Sequence, residues 1–91
     1  MLQTVSIIVT GKVQGVFYRQ STKEKALELG ITGTVKNQPD GSVLIQASGP
    51  STVINQLIAW CRQGPSRAQV TSVEVTIIET RAFIGFTVLR G

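Results

Sequence analysis

Apolar residues recur with period two in some stretches of this chain and with a period near 3.6 in others, and the order of those stretches most limits the fold. Val5, Ile7 and Val9 alternate with Ser6, Ile8 and Thr10, which predicts a first strand. Residues from about Gln20 to Leu29 favour helix, with Ala26 and Leu27 facing inward together with Thr22 or Lys23 a turn earlier, and Gly30 is placed as its C-cap. Ile31, Gly33, Val35 and Asn37 share one face of a second strand, and Pro39-Asp40-Gly41 makes a turn into a third that carries Val43, Ile45 and Ala47. Gly49-Pro50-Ser51 ends that strand and offers Ser51 as N-cap. Val53 or Ile54, Leu57, Ile58 and Cys61 then recur at helical spacing up to Gln63-Gly64-Pro65. Val73, Val75 and Ile77, followed by Ile84, Phe86 and Val88, predict two closing strands, the last as a hairpin extension.

The order βαββαβ points to an α+β, ferredoxin-like two-layer sandwich. Its sheet is mostly antiparallel, and right-handed crossovers put both helices on one face. The outer face then carries Thr34, Lys36, Ser42, Gln46, Glu74 and Thr76, a polar set suited to water.

With 91 residues and no linker, repeat or charge block, residues 1–91 are expected to form a single domain, too small for a large cofactor-binding fold. No stretch has the apolar length of a membrane span, and Met1-Leu2-Gln3-Thr4-Val5 lacks the features of a secretory signal, so a cytoplasmic protein with no membrane partner is expected. Cys61 is the only cysteine and histidine is absent, which excludes an internal disulfide, a CxxC site, an imidazole proton shuttle and the commonest metal ligand. The expectation is no metal and no cofactor. The formal charge of +4 suits an anionic partner or, equally, a solvated basic surface.

The run Gly11-Lys12-Val13-Gln14-Gly15-Val16-Phe17-Tyr18-Arg19 lies between the first strand and the first helix. Two glycines allow a tight turn that brings backbone N–H groups near a ligand, and the helix behind it adds unpaired N–H groups and a positive dipole end. Arg19 adds a full charge in a planar fork that suits the paired oxygens of a phosphoryl group. This is a phosphate cradle with no acid or base beside it, since Asp40 lies in the hairpin turn and Glu24 more than a turn into the helix. An ordinary phosphate ester needs a proton donor or metal to expel its alkoxide. An acyl phosphate does not, because its leaving group is a carboxylate of pKa about 4, so positioning and charge suffice. Asn37 sits at the inward parity of its strand, where a carboxamide that accepts from a water and donates elsewhere can hold that water in line with phosphorus.

Together these residues resemble the acylphosphatase family over nearly the whole chain. Gly11-x-Val13-Gln14-Gly15-Val16-x-x-Arg19 is similar to the family's signature loop, and Leu29-Gly30-Ile31-x-Gly33-x-Val35-x-Asn37 followed by Asp40-Gly41 to its second block; Gly49 and Cys61-x-x-Gly64-Pro65 also fall in familiar places. The resemblance implies a metal-free enzyme that hydrolyses the carboxyl–phosphate bond of acyl phosphates. Arg19 would bind the phosphate and Asn37 would orient the water, both as catalytic residues. The backbone N–H groups of Gln14, Gly15, Val16, Phe17, Tyr18 and Arg19 would form the cradle. Inorganic phosphate or sulfate is expected to compete, and a monomer is the expected state. Two departures are Thr34, where many relatives carry a bulky aromatic, and Lys36, where many carry arginine; both bear on surface packing more than on catalysis.

Plainer roles remain open for several residues. Phe17 and Tyr18 are expected to flank the loop as packing residues, Trp60 to cover a helix edge and Cys61 to fill the core. Arg19 can pair with Glu24 or a helix neighbour, and Ser21 and Thr22 can cap the helix or brace the loop and Asn37. An RNA-binding module shares the βαββαβ order, but Ser42-Val43-Leu44-Ile45-Gln46-Ala47 carries no aromatic on which a base could stack, so no nucleic acid is expected. A regulatory domain that senses an anion without turning it over is the remaining rival.

Overall fold

Val5, Ile7 and Val9 are buried, and so are Ile45, Ala47, Val35 and Gly33, because each sits at the inward parity of its strand. The computed structural model describes residues 2–90. In chain order its elements are β1 (Leu2–Lys12), α1 (Tyr18–Leu29), β2 (Thr32–Asn37), β3 (Val43–Pro50), α2 (Ser51–Gln63), β4 (Gln69–Ile78) and β5 (Phe86–Val88). They form one sheet in the order β4-β1-β3-β2-β5. The pairs β1·β4, β1·β3 and β2·β3 are antiparallel, and β2·β5 is parallel. Register aligns Ile7 with Ile45 and Ile45 with Val35, so the buried residues form continuous rows across the strands.

Both helices lie on that face, α1 against β2 and β5, and α2 against β1, β3 and β4. Tyr18, Thr22 and Ala26 make the buried stripe of α1, and Ile54, Leu57 and Cys61 that of α2. This is the expected ferredoxin-like sandwich, with five particulars that differ. Leu27, expected inward, is exposed. The helix starts at Tyr18, ahead of Gln20, and the four-residue stripe that Tyr18 begins turns Leu27 outward. Gly30 does close α1: its N–H bonds the Leu27 carbonyl while the Ile31 N–H reaches back to Ala26.

Ser51 is no cap. Strand β3 stays paired through Pro50, opposite Leu2, so the helix begins at once and Ser51 falls inside its first turn with no side-chain cap bond. Ser42, expected on the wet outer face, is buried in the hairpin turn, where its N–H and hydroxyl bind the Asp40 carboxylate at 2.9 and 2.6 Å. On the edge strand β4, Val70 and Val73 pack against the core, whereas Val75 and Ile77, further along and level with Ile7 and Val5, remain exposed on the helix side.

The last strand is not a hairpin partner of β4. It crosses to the far edge and pairs in parallel with β2, leaving Ile84 outside the strand and exposed. Two hydroxyls pin this crossover. The Arg81 N–H donates to Thr4 Oγ1 at 3.1 Å, and the Ser48 hydroxyl donates to the Arg81 carbonyl at 3.0 Å. With one proton per hydroxyl, Thr4 must donate to Ser48 across their 2.6 Å contact, which closes a ring of three bonds and buries Thr4 on the outer face.

Candidate active site

The site forms where β1, β2 and β5 end and α1 begins. Val13 and Val16 are buried and hold the connecting loop down on the core, while Gly15 between them is exposed. Gly15 has φ 73°, and a Cβ there would meet nothing within 4 Å, so the backbone and not space calls for glycine. Phe17 follows in the left-handed region at φ 64° and ψ 22° and is the only non-glycine residue with positive φ among the described residues. For a bulky side chain that conformation costs about 1–2 kcal/mol.

These two left-handed turns leave a row of free donors. The first helical bond at this end runs from the Ser21 N–H to the Phe17 carbonyl at 3.0 Å. Among the described residues, the N–H groups of residues 14–20 meet no backbone or side-chain acceptor. No acidic residue occupies the first turn of α1 and no side chain caps it. Unpaired N–H groups at a helix start form an anion site.

The loop is tied to the β2–β3 hairpin by Gln14, whose side-chain amide donates to the carbonyls of Gln38 and Ser42, both at 2.9 Å. This brings Asn37, the last residue of β2, beside the loop. The Asn37 Oδ1 atom is buried and, among the described residues, has no hydrogen-bond partner. On the other side, Tyr18 anchors the loop to α2. Its hydroxyl donates to the Cys61 carbonyl at 2.7 Å and its ring packs against Trp60. Gly64 makes room for that ring, since a Cβ there would come within 2.7 Å of it.

A cavity of about 330 Å³ opens between these parts, lined by Val13, Gly15, Phe17, Tyr18, Arg19, Gln20, Asn37 and Val88. It brings together Gly15, Phe17, Tyr18, Arg19 and Asn37. It does not include the side chains of Gln14, committed to the hairpin, or Val16, committed to the core. Arg19 does not pair with Glu24; its Nη1 donates to the Leu89 carbonyl at 3.1 Å, and no carboxylate binds it among the described residues. Leu89 follows β5, so the last strand orients the one cation in the cavity. A backbone carbonyl seventy residues away has no signature in the sequence, and neither does the brace from Gln14. Thr22 neither caps the helix nor reaches Asn37, because its hydroxyl donates back to the Tyr18 carbonyl at 2.7 Å.

Among the described residues, no carboxylate or thiol lines the cavity. Burial pushes the Cys61 thiol up to about 12. Burial and the neighbouring Cys61 raise the Tyr18 hydroxyl far above its ordinary value, so it is a neutral donor. The Asp40 carboxylate is held below its usual range by the Ser42 hydroxyl and N–H. Trp60 lies half-buried along the helix layer, and Phe17, expected to pack, is 69 % exposed at the cavity. Among the described residues no three His, Cys, Asp or Glu side chains gather as a metal site, and no helix is long and apolar enough to cross a membrane. The arrangement can hold a tetrahedral oxyanion on backbone N–H groups and one guanidinium, with a free amide oxygen beside it.

Residues 5–88 match the family model described as acylphosphatase. The chain is 47 % identical over 90 residues to an acylphosphatase of Methylococcus capsulatus, covering 98 % of both chains. It also matches the solved structure of an acylphosphatase from Coxiella burnetii, at 39 % identity and a TM-score of 0.94 over 97 % of this chain and 93 % of that one. The crystal structure of an acylphosphatase from Bacillus subtilis matches at 32 % identity and a TM-score of 0.92, covering 98 % of this chain and 99 % of the other.

Proposed function

The chain belongs to the acylphosphatase family and shares its activity, hydrolysis of the carboxyl–phosphate bond of acyl phosphates, and on that premise we propose that Arg19 binds the phosphoryl group while Asn37 orients the attacking water. The observation that carries this reading is the buried, unpartnered Asn37 Oδ1 on a residue that lines the same cavity as Arg19. An acceptor left unsatisfied in a fold costs about 1–3 kcal/mol. A water that donates to it relieves that cost and is held at the site where it is needed.

The phosphoryl oxygens rest on the N–H groups of Gln14, Gly15, Val16, Phe17, Tyr18 and Arg19 at the positive end of α1, and the Arg19 guanidinium neutralises the charge that spreads over them. The Asn37-bound water attacks phosphorus in line. A new phosphorus–oxygen bond forms as the bond to the carboxyl oxygen breaks, the electron pair leaves with the carboxylate, and the water's proton ends on the phosphate product. The departing carboxylate needs no proton, with a pKa of about 4, so the reaction runs without a side-chain acid, a metal or a cofactor. Residues 1–91 act as one catalytic unit, a monomer in the cytoplasm, and inorganic phosphate or sulfate competes for the cradle.

Turnover of an acyl phosphate in the presence of a chelator, measured for wild type and Asn37→Ala, tests the assignment. The variant is expected to lose about 10²-fold or more in kcat, a loss typical of one positioned polar group, while inhibition by inorganic phosphate is retained. Near-native kcat would remove Asn37 from the mechanism. Loss of phosphate inhibition in the same variant would move it from the water to the cradle.

A further inference from the structure

We propose that the Phe17 ring is the platform for the acyl group of the substrate, so that acyl phosphates with a flat, apolar acyl group are preferred; this rests on the hydrolytic reading above. Phe17 is a poor choice for the fold on two counts. Its backbone holds φ 64° and ψ 22°, a region that favours glycine and tolerates asparagine but strains a bulky side chain. The residue is 69 % exposed, so it contributes little to the core, while its neighbours Val16 and Tyr18 are both buried. Strain at an exposed aromatic in a cavity wall points to a ligand that covers it.

The chemistry says which part of the ligand that is. The phosphoryl end is served by N–H groups and Arg19. In-line displacement puts the leaving group opposite the attacking water, so the acyl group extends away from the water that Asn37 holds. Of the cavity side chains, Arg19 is given to the phosphate and Asn37 to the water, and Val13 and Tyr18 are buried; Phe17, which lends the cradle only its backbone N–H, and Val88 are the apolar side chains left at the surface. A phenyl face accepts an aromatic or planar apolar group by offset stacking. A short acyl group such as acetyl covers little of it.

The test compares kcat/KM for benzoyl phosphate and acetyl phosphate in wild type, Phe17→Ala, Phe17→Asn and Phe17→Tyr. Any distortion of the loop lowers both substrates together and cancels in their ratio. The benzoyl-to-acetyl ratio is expected to fall about tenfold in Phe17→Ala and Phe17→Asn, the size of one aromatic pair, and to stay at the wild-type value in Phe17→Tyr. A ratio unchanged in the alanine and asparagine variants would overturn the platform and leave the hydrolase standing. Failure of the folded wild type to hydrolyse either substrate would overturn the hydrolytic reading, and the platform with it.

Discussion

The sheet has a cavity at each end, and the two are nearly the same size. The one at the ends of β2 and β5 measures about 330 Å³, and the one at their starts, lined by residues such as Thr4, Thr32, Ser48, Arg81 and Phe83, about 350 Å³. Volume therefore does not tell them apart, whereas polar accounting does. At the first end an amide oxygen is buried without a partner, a row of backbone N–H groups is free and Phe17 is strained. At the second, Thr4, Ser48 and the backbone of Arg81 close a ring in which each donor has an acceptor, while the Arg81 guanidinium binds Gln46 and lies over the Phe83 ring. Unsatisfied groups mark the end that waits for a ligand, and satisfied ones mark the end that holds the chain together.

Breaking each end should give opposite signatures. Arg19→Ala has the largest expected effect: kcat/KM for an acyl phosphate falls about 10³-fold or more, as for an arginine that neutralises a transferring phosphoryl group. Its melting temperature should move little, because the only side-chain bond lost among the described residues is the exposed one to Leu89. A large drop in melting temperature with proportionate loss of activity would make Arg19 structural.

Thr4→Val should do the reverse. The shape is kept but the Arg81 N–H loses its acceptor. A cost of about 2 kcal/mol, or roughly 10 °C in melting temperature, is expected. Turnover by the folded variant should stay at the wild-type level, and an unshifted melting curve would show the ring to be dispensable.

Asp40→Asn sharpens the contrast with the smallest effect, since Asp40 lies at the active end but is satisfied. Its folded pKa is held down by Ser42, so its stabilisation is present above the ordinary carboxylate range and is lost as pH falls through the lowered value. Wild type should melt slightly above the variant at neutral pH, and the two curves should merge in acid. A difference that persists in acid would assign the effect to packing instead.

Much of this was legible in the residues because period and turn chemistry are local. Val5, Ile7, Val9, Val35 and Ile45 reveal their face by parity, and Gly30 and Asp40-Gly41 mark where elements stop. The loop and Arg19 stand out because few residue types suit an anion. Period two says which way a side chain points but not which strand lies beside it, so the parallel partner of Phe86, Thr87 and Val88 was hidden. Ser51 lies inside α2 and not at its cap because the pairing of Pro50 with Leu2, a long-range fact, sets where the helix starts. Leu27 turned outward because the phase of a helix follows its largest buried residue, here Tyr18. The exposure of Phe17 and the brace from Gln14 depend on loop geometry, which no periodicity encodes.

Arg19 takes its bearing from the carbonyl of Leu89, just past a strand of three residues on the sheet edge. Short edge strands are among the first pieces of a fold to come loose, at free energies well below that of global unfolding. Peeling β5 away would leave the four remaining strands paired as before, but it would uncover Phe86 and the side of α1 that packs on β5, and it would release the arginine. The enzyme thus fails from its margin inward: under heat, denaturant or pulling force, activity should vanish while spectroscopic signals of the folded state are still intact, so that turnover reports on the last strand and not on the whole molecule.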